Sequence, residues 1–153
     1  MSYNTVEQAN AYVSSHYLSS DEARVRWELL TDDDKQVLLN KSHDTIDALP
    51  ITGRKASVDQ PDAFPRCPDK EVPDAVKSAE CELALSLSDE SANESLNDYR
   101  KMVDYGIQSY SIGNFSETLL SYSKNSIEIK YGLISSNAKQ LLTPWLTGGF
   151  RSG

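Results

Sequence analysis

The sequence predicts a mainly α protein: a small helical bundle with a β-hairpin and a C-terminal arm. Three observations carry this. Apolar residues recur at three-to-four spacing behind good N-caps in five stretches. A proline-rich segment, residues 51–72, separates the third stretch from the fourth. The apolar period then changes to two around Gly113-Asn114.

The first helix is expected over "NTVEQANAYVSSHY". Thr5 and Gln8 stand at capping-box spacing, and Val6, Ala9, Val13 and Tyr17 follow at helical intervals. The second, "SSDEARVRWELL", has Ser20 as its cap and Asp21 and Glu22 in a favourable first turn. Val25, Trp27, Leu29 and Leu30 supply its apolar anchors. In the third, Thr31 is the N-cap and Asp32, Asp33 and Asp34 oppose the positive end of the helix dipole. Its apolar face reads Leu38, Ser42, Thr45, Ile46, Leu49, and Pro50 stops it.

Residues 51–72 show no period and contain Pro61, Pro65 and Pro68, so they read as a loop. The loop is long for a compact domain, which points to function or contact. Phe64 reads as the anchor that pins it to the core. Pro73 then opens a fourth helix at a position where a missing N–H costs nothing. Val76, Ala79, Leu83 and Leu87 form its wide apolar face, and it is expected to run to about Ser91. A polar stretch, "ANESLNDYRKMVD", reads as a linker.

Alternation of Ile107, Ser109 and Ser111 with Gln108, Tyr110 and Ile112 predicts a hairpin over 105–122, with Gly113-Asn114 as its turn. A lone hairpin is marginal in water. This one packs either on its own helices or on a neighbouring copy. Ser135 or Ser136 caps a last helix, "SSNAKQLLTPWL", which Pro144 kinks or ends. The domain plan is thus a helical domain over 1–104, a hairpin over 105–122, and a terminal helix with an arm over 135–153.

The chain has 153 residues and a formal charge of −8, enough length for one domain with a real core. From Ser123 onward there are four basic residues against one acidic, a net +3, which leaves −11 for residues 1–122. An acidic body repels phosphate and argues against nucleic acid as its main ligand. No run approaches the roughly 18 apolar residues that span a bilayer, so no membrane is expected as a partner. The start, "MSYNTVEQAN", has neither a basic end nor an apolar stretch, so no secretory signal is expected. Cys67 and Cys81 form no CxxC pair and are expected as free thiols.

No phosphate-loop, dinucleotide, nucleophile-elbow or zinc-protease motif occurs, so no catalytic residue, cofactor or metal is assigned and the chain is not read as an enzyme. His16 and His43 lie on separate helices and read as surface or core-edge histidines. Successive carboxylates at Asp32–Asp34 scatter around a helix rather than share a face. Glu80 and Glu82 flank Cys81 but point different ways. Tyr99, Arg100 and Lys101 have the residue types of a single-strand stacking platform, although the charge balance opposes that use.

Five stretches taken in order carry a family resemblance: "VEQANAYV", "DDDKQVLLNKSHDTIDALPITGRK", "AFPRC", "VPDAVKSAECELAL", and "GIQSYSIGNFSETLLSY" with "AKQLLTPWL". Together they resemble the head–tail connector proteins of tailed bacteriophages, the adaptor or head-completion proteins that form a ring under the portal. The resemblance implies a non-enzymatic structural protein of the virion neck, assembled in the host cytoplasm as a ring of about a dozen copies. Its partners would be the portal protein and a downstream neck or tail-completion protein. The genome would pass through the channel without sequence-specific binding, and an acidic wall would let it slide. The portal-docking arm would comprise Leu142, Trp145, Leu146, Phe150 and Arg151, with Gly148 and Gly149 as its bend. Each large apolar side chain would gain roughly 1.5–3 kcal/mol on burial in a partner; the lesser alternative is that Leu141, Leu142 and Trp145 cover the domain's own core. Subunit contacts would fall on Phe64, Ile107, Tyr110, Ile112, Phe115 and Leu119. Chains with the Ile46-Asp47, Phe64-Pro65-Arg66 and Val72-Pro73 pattern are also labelled DnaT-like single-stranded-DNA-binding proteins. That label gives the alternative reading: a single-stranded-DNA-binding accessory protein of phage replication.

Overall fold

The structure, a computed structural model, describes residues 2–90, 94, 97, 98 and 131–146. Among them are five α-helices: α1 (Val6–His16), α2 (Glu22–Glu28), α3 (Asp32–Ala48), α4 (Asp74–Leu87) and α5 (Ser136–Leu142). A 3-10 turn, Thr143–Trp145, extends α5. Among the described residues there are two isolated β-bridges and no strand. The chain is therefore mainly helical, and the hairpin expected over 105–122 lies outside the described residues.

The caps form as the local sequence dictates. Gln8 N–H donates to Thr5 Oγ1 (3.1 Å) and Thr5 N–H donates to Gln8 Oε1 (2.9 Å), a complete capping box. Asp34 N–H donates to Thr31 Oγ1, and Ala138 N–H to Ser135 Oγ, both at 3.1 Å. For α2 the expected cap is wrong: Asp21, not Ser20, is the N-cap residue, and its side chain instead accepts from Leu18 N–H.

α4 is the partition of the fold. It buries Val76, Ala79, Glu80, Cys81, Glu82, Leu83, Ala84 and Leu85, and a helix covered nearly all round must sit at the centre. One side packs with α3, α5 and the loop: Ile46, Leu49, Phe64, Val76, Ala79, Leu83, Leu133, Leu142 and Leu146 form that core. The other side packs with α1 and α2 around Ala9, Val13, Trp27, Leu39, Cys81, Ala84 and Leu85. In this second core Asn10 Oδ1 accepts from Trp27 Nε1–H (2.9 Å) and from Lys35 Nζ (3.0 Å). The Lys35 ammonium lies 5.6 Å from the Trp27 ring centroid, a cation–π contact.

Three expected details change. The buried face of α3 is Lys35, Leu39, Ser42, His43 and Ile46. The face is rotated because Lys35 and His43, which hydropathy counts as outward, are buried with partners, while Leu38 only edges the core. Val25 and Leu29 on α2 are exposed, so Trp27 alone anchors that helix deeply. α4 ends at Leu87, where Ser88 closes it by donating its hydroxyl and its N–H back to the last turn.

The N-terminal residues dock on α4 through one carboxylate. Glu80 is fully buried. Its oxygens accept from Tyr3 N–H (2.8 Å), Asn4 N–H (3.0 Å) and Asn4 Nδ2–H (3.0 Å). Burial raises the Glu80 pKa, and the three donated hydrogen bonds work against that rise. Two residues along, on the opposite side of the helix, Glu82 accepts from the Tyr12 and Tyr17 hydroxyls and from Asn137 Nδ2–H, which joins α1 to α5 across α4. Burial, and then the bond to Glu82, raise both phenol pKa values well above the ordinary tyrosine range.

Two predictions follow from this packing. Glu80→Gln places an amide N–H against backbone N–H donors and weakens charge-assisted bonds, so urea unfolding is expected to show a loss of about 1.5–3 kcal/mol. The thiols are expected to react at very different rates. Cys67 is exposed, while Cys81 is buried and its thiol is pushed up to about 12 by burial and then by Glu80 and Glu82. A disulfide-exchange reagent at neutral pH should titrate one thiol quickly and the second only on unfolding.

Candidate functional site

Loop 51–72 is ordered by a short ladder rather than left irregular. Ile51 bridges Leu146 and Lys55 bridges Arg66, both antiparallel. Thr52 N–H donates to the Trp145 carbonyl (2.6 Å), Cys67 N–H to the Arg54 carbonyl (2.9 Å), and Ala56 N–H to the Pro65 carbonyl (3.0 Å). Gly53 turns the chain at φ +79°, a conformation that an L side chain rarely adopts. Gln60 closes the loop by donating to the carbonyls of Asp62 and Pro65.

This ladder pairs two cations, Lys55 and Arg66, with a third, Arg54, next in the chain. Arg54 and Lys55 are exposed, and Arg66 stands opposite Lys55. Neither Gly53–Val58 nor Pro65–Pro68 contains an acidic residue. Like charges facing one another across a bridge destabilise it, and an anion bound between them removes that cost. Arg66 donates through Nη1 to the Gly53 carbonyl (3.3 Å), while its buried Nε has no hydrogen-bond partner. Lys70, also exposed, lines a shallow depression together with Val72, Pro73 and Trp145 and with the acidic residues Asp69, Glu71 and Asp74. Trp145 is half-buried and rests edge-on against Phe64, with ring centroids 5.4 Å apart at 88°. The result is a cationic pair, Lys55 and Arg66 with Arg54 beside them, and a half-buried indole in a separate depression that carries three carboxylates and one lysine.

A second cluster lies at the root of the same loop. His43 and Asp47 share one face of α3 at i, i+4 spacing, and Asp62 approaches from the loop. His43 Nε2 is 2.9 Å from Asp62 Oδ1 and 3.1 Å from Asp47 Oδ2. These three side chains bring one potential ligand atom each within 4.8 Å of one another. The sequence reading of His43 as a surface or core-edge residue missed this. The i, i+4 His–Asp spacing was visible, but the third member arrives from a loop with no period.

The sequence-predicted site residues fall in three groups. Leu142 and Leu146 are buried in the chain's own core, Trp145 packs on Phe64, and Phe64 is itself buried beneath the loop. The docking-arm reading of Leu142, Trp145 and Leu146, and the subunit-contact reading of Phe64, therefore give way to internal packing. The apolar surface of Leu142 and Leu146 is covered by the chain itself, while Trp145 keeps part of its indole at the surface. Phe150, Arg151, Ile107, Tyr110, Ile112, Phe115 and Leu119 lie outside the described residues, as do Tyr99, Arg100 and Lys101. The cationic residues of the loop were not singled out from sequence. The signal available was the acid-free run "GRKASV", which gains meaning only when Arg66 is folded against it.

Among the described residues no helix is long and apolar enough to cross a membrane. No curated protein and no solved structure matches the chain. A family model described as "Putative DnaT-like ssDNA binding protein" matches residues 1–152. This match overturns the connector resemblance, and with it the portal and neck-protein partners, the ring of about a dozen copies and the passive genome channel. The five stretches that suggested a connector are spread over a chain that the family model accounts for from end to end. By that match the chain belongs to the DnaT-like family.

Proposed function

We propose that the chain is a non-catalytic accessory protein that binds single-stranded DNA, with the ridge of Arg54, Lys55 and Arg66 as its phosphate contact. The observation that carries this is the acid-free pairing of Lys55 with Arg66 on a body of opposite charge. The family description supports the same ligand. Arginine offers planar, forked donors suited to phosphate oxygens, and lysine adds a mobile point charge. Lys70 adds one cation near Trp145, where Asp69, Glu71 and Asp74 confine phosphate contact to the ridge itself. A base unstacked from its neighbours could lie on the indole, because stacking is sequence-tolerant and available only where a strand is not already paired. The acidic remainder keeps the strand on the ridge and weakens contact elsewhere.

The expected behaviour is modest, salt-sensitive affinity without strong sequence preference. With three or four phosphates engaged, log K against log salt should fall with a slope of about −2 to −3 on a single strand. Arg54→Glu with Lys55→Glu should weaken fluorescence-anisotropy titrations of a labelled oligothymidine by about tenfold or more without lowering the thermal midpoint, because it removes the like-charge pair across the bridge. Equal affinity in the double variant would remove the ridge from the interface. Trp145→Leu keeps apolar cover over Phe64 but removes the stacking face. It should cost about 1–3 kcal/mol of oligonucleotide affinity and abolish strand-dependent quenching of indole emission. Duplex DNA of the same length is the control and should bind less tightly.

A further inference from the structure

The His43 cluster carries chemistry that the ridge does not use. The His43 side chain is 5% exposed and those of Asp47 and Asp62 are each 22% exposed, so the group is buried on one side and open on the other. We propose that His43 Nε2, Asp47 Oδ2 and Asp62 Oδ1 bind a divalent first-row transition-metal ion of the zinc class, with Glu80 holding the imidazole from behind.

The proton inventory of the imidazole leads there. Nε2 faces two carboxylate oxygens at hydrogen-bond distance. Nδ1 is buried, has no hydrogen bond, and faces Glu80 Oε2 at 3.5 Å. A neutral imidazole carries one proton and an imidazolium two; the imidazolium, donating to Glu80 and to the aspartates, is the metal-free state with which an ion must compete. If the proton is on Nε2, the Nδ1 lone pair points at a carboxylate. If it is on Nδ1, the Nε2 lone pair points at two. A cation at the Nε2 side resolves the second arrangement: Nε2 and the two aspartates become ligands, and Nδ1–H is left to donate to Glu80. A ligating histidine with its other N–H directed at a carboxylate is the usual outer-shell pattern of metal sites.

The spacing and the support agree with this. Metal–ligand bonds of about 2.0–2.1 Å, opened between right angles and the tetrahedral value, give ligand–ligand edges of about 2.9–3.3 Å. The two Nε2–oxygen separations, 2.9 and 3.1 Å, fall in that range, and the two carboxylate oxygens lie within 4.8 Å of each other, an edge that metal binding would close. The far oxygen of Asp47, Oδ1, accepts from the Tyr3 hydroxyl and from Ala63 N–H (3.3 Å), which turns Oδ2 toward the histidine. Tyr3 also leans on the imidazole, with centroids 4.3 Å apart, and so limits its rotation. One nitrogen and two carboxylate oxygens suit zinc, manganese or ferrous ions better than the all-oxygen ions, and three protein ligands leave a position for water. Such an ion would tie loop 51–72 to α3.

The test uses the full-length, tag-free chain after chelation and dialysis, with Zn²⁺ as the calorimetric probe and Co²⁺ as the spectroscopic one. The expected result is about one ion per chain, a visible d–d absorption with Co²⁺, and a rise in thermal midpoint with Zn²⁺ that grows with its concentration. Asp62→Asn changes a partly exposed loop residue and should weaken Zn²⁺ binding by about tenfold or more with an unchanged circular dichroism spectrum. His43→Gln should abolish the cobalt spectrum. His16→Gln and Cys67→Ser should bind as the parent does. Absence of stoichiometric binding, retention of full affinity by Asp62→Asn, or its loss in Cys67→Ser each overturns the proposal. None of the three ligands belongs to the cationic ridge, so failure here leaves the DNA reading standing.

Discussion

The structure depends on a carboxylate taken wholly out of water. Glu80 sits at the middle of the helix that divides the two cores, and its charge is met by the amides of Tyr3 and Asn4 and by the side chain of Asn4. Desolvation of such a group is costly unless several donors meet it. Meeting it fixes where the N-terminal residues run, and that in turn places Tyr3. The Tyr3 hydroxyl then bonds Asp47 and accepts from Phe64 N–H, so the N-terminus, α3 and the root of the loop are held by one continuous polar chain. Glu82 does a parallel task on the other side, where it binds two tyrosines and Asn137. Two glutamates, two residues apart, thus stitch most of the described elements to α4.

That arrangement explains why the ridge can exist on an acidic molecule. The loop's own ladder is short and its facing cations repel. It stays folded because Phe64 is locked beneath it, Trp145 receives Thr52, and Asp62 meets His43. The energy that shapes the loop comes from its base, and the exposed tip is left to carry charge. Binding surfaces often take this form, with variable contact residues on a loop and rigidity supplied from below.

What the sequence revealed follows the range of the interactions. The caps at Thr5, Thr31 and Ser135 were legible because donor and acceptor lie within three residues. The role of Phe64 as loop anchor was legible because an aromatic among turn residues has few other uses. The face of α3 was read correctly at Ser42, Ile46 and Leu49 and misread at its margin, because a hydropathy pattern assigns Lys35 and His43 to solvent, whereas each is buried against a partner from another element. The burial of Glu80 and Glu82 was invisible for the same reason: their partners lie more than fifty residues away in the chain. The end of the chain shows a different limit. Leu142, Trp145 and Leu146 were correctly read as side chains that need cover, but composition does not say whether the cover is the molecule's own or another's. The ridge was missed because Arg54, Lys55 and Arg66 become one feature only after the loop closes.

The position of α4 also sets how freely the sequence can drift. Ala79 looks into one core and Ala84 into the other, and both are completely enclosed. A larger residue at either place would push apart the helices packed against it. The outward face of α2, where Val25 and Leu29 stand in solvent, has no such restriction. Divergent copies of this chain should accordingly keep small residues at those two alanines while α2 changes almost at will, a pattern that an engineer could use to choose where a label or a solubilising charge is tolerated.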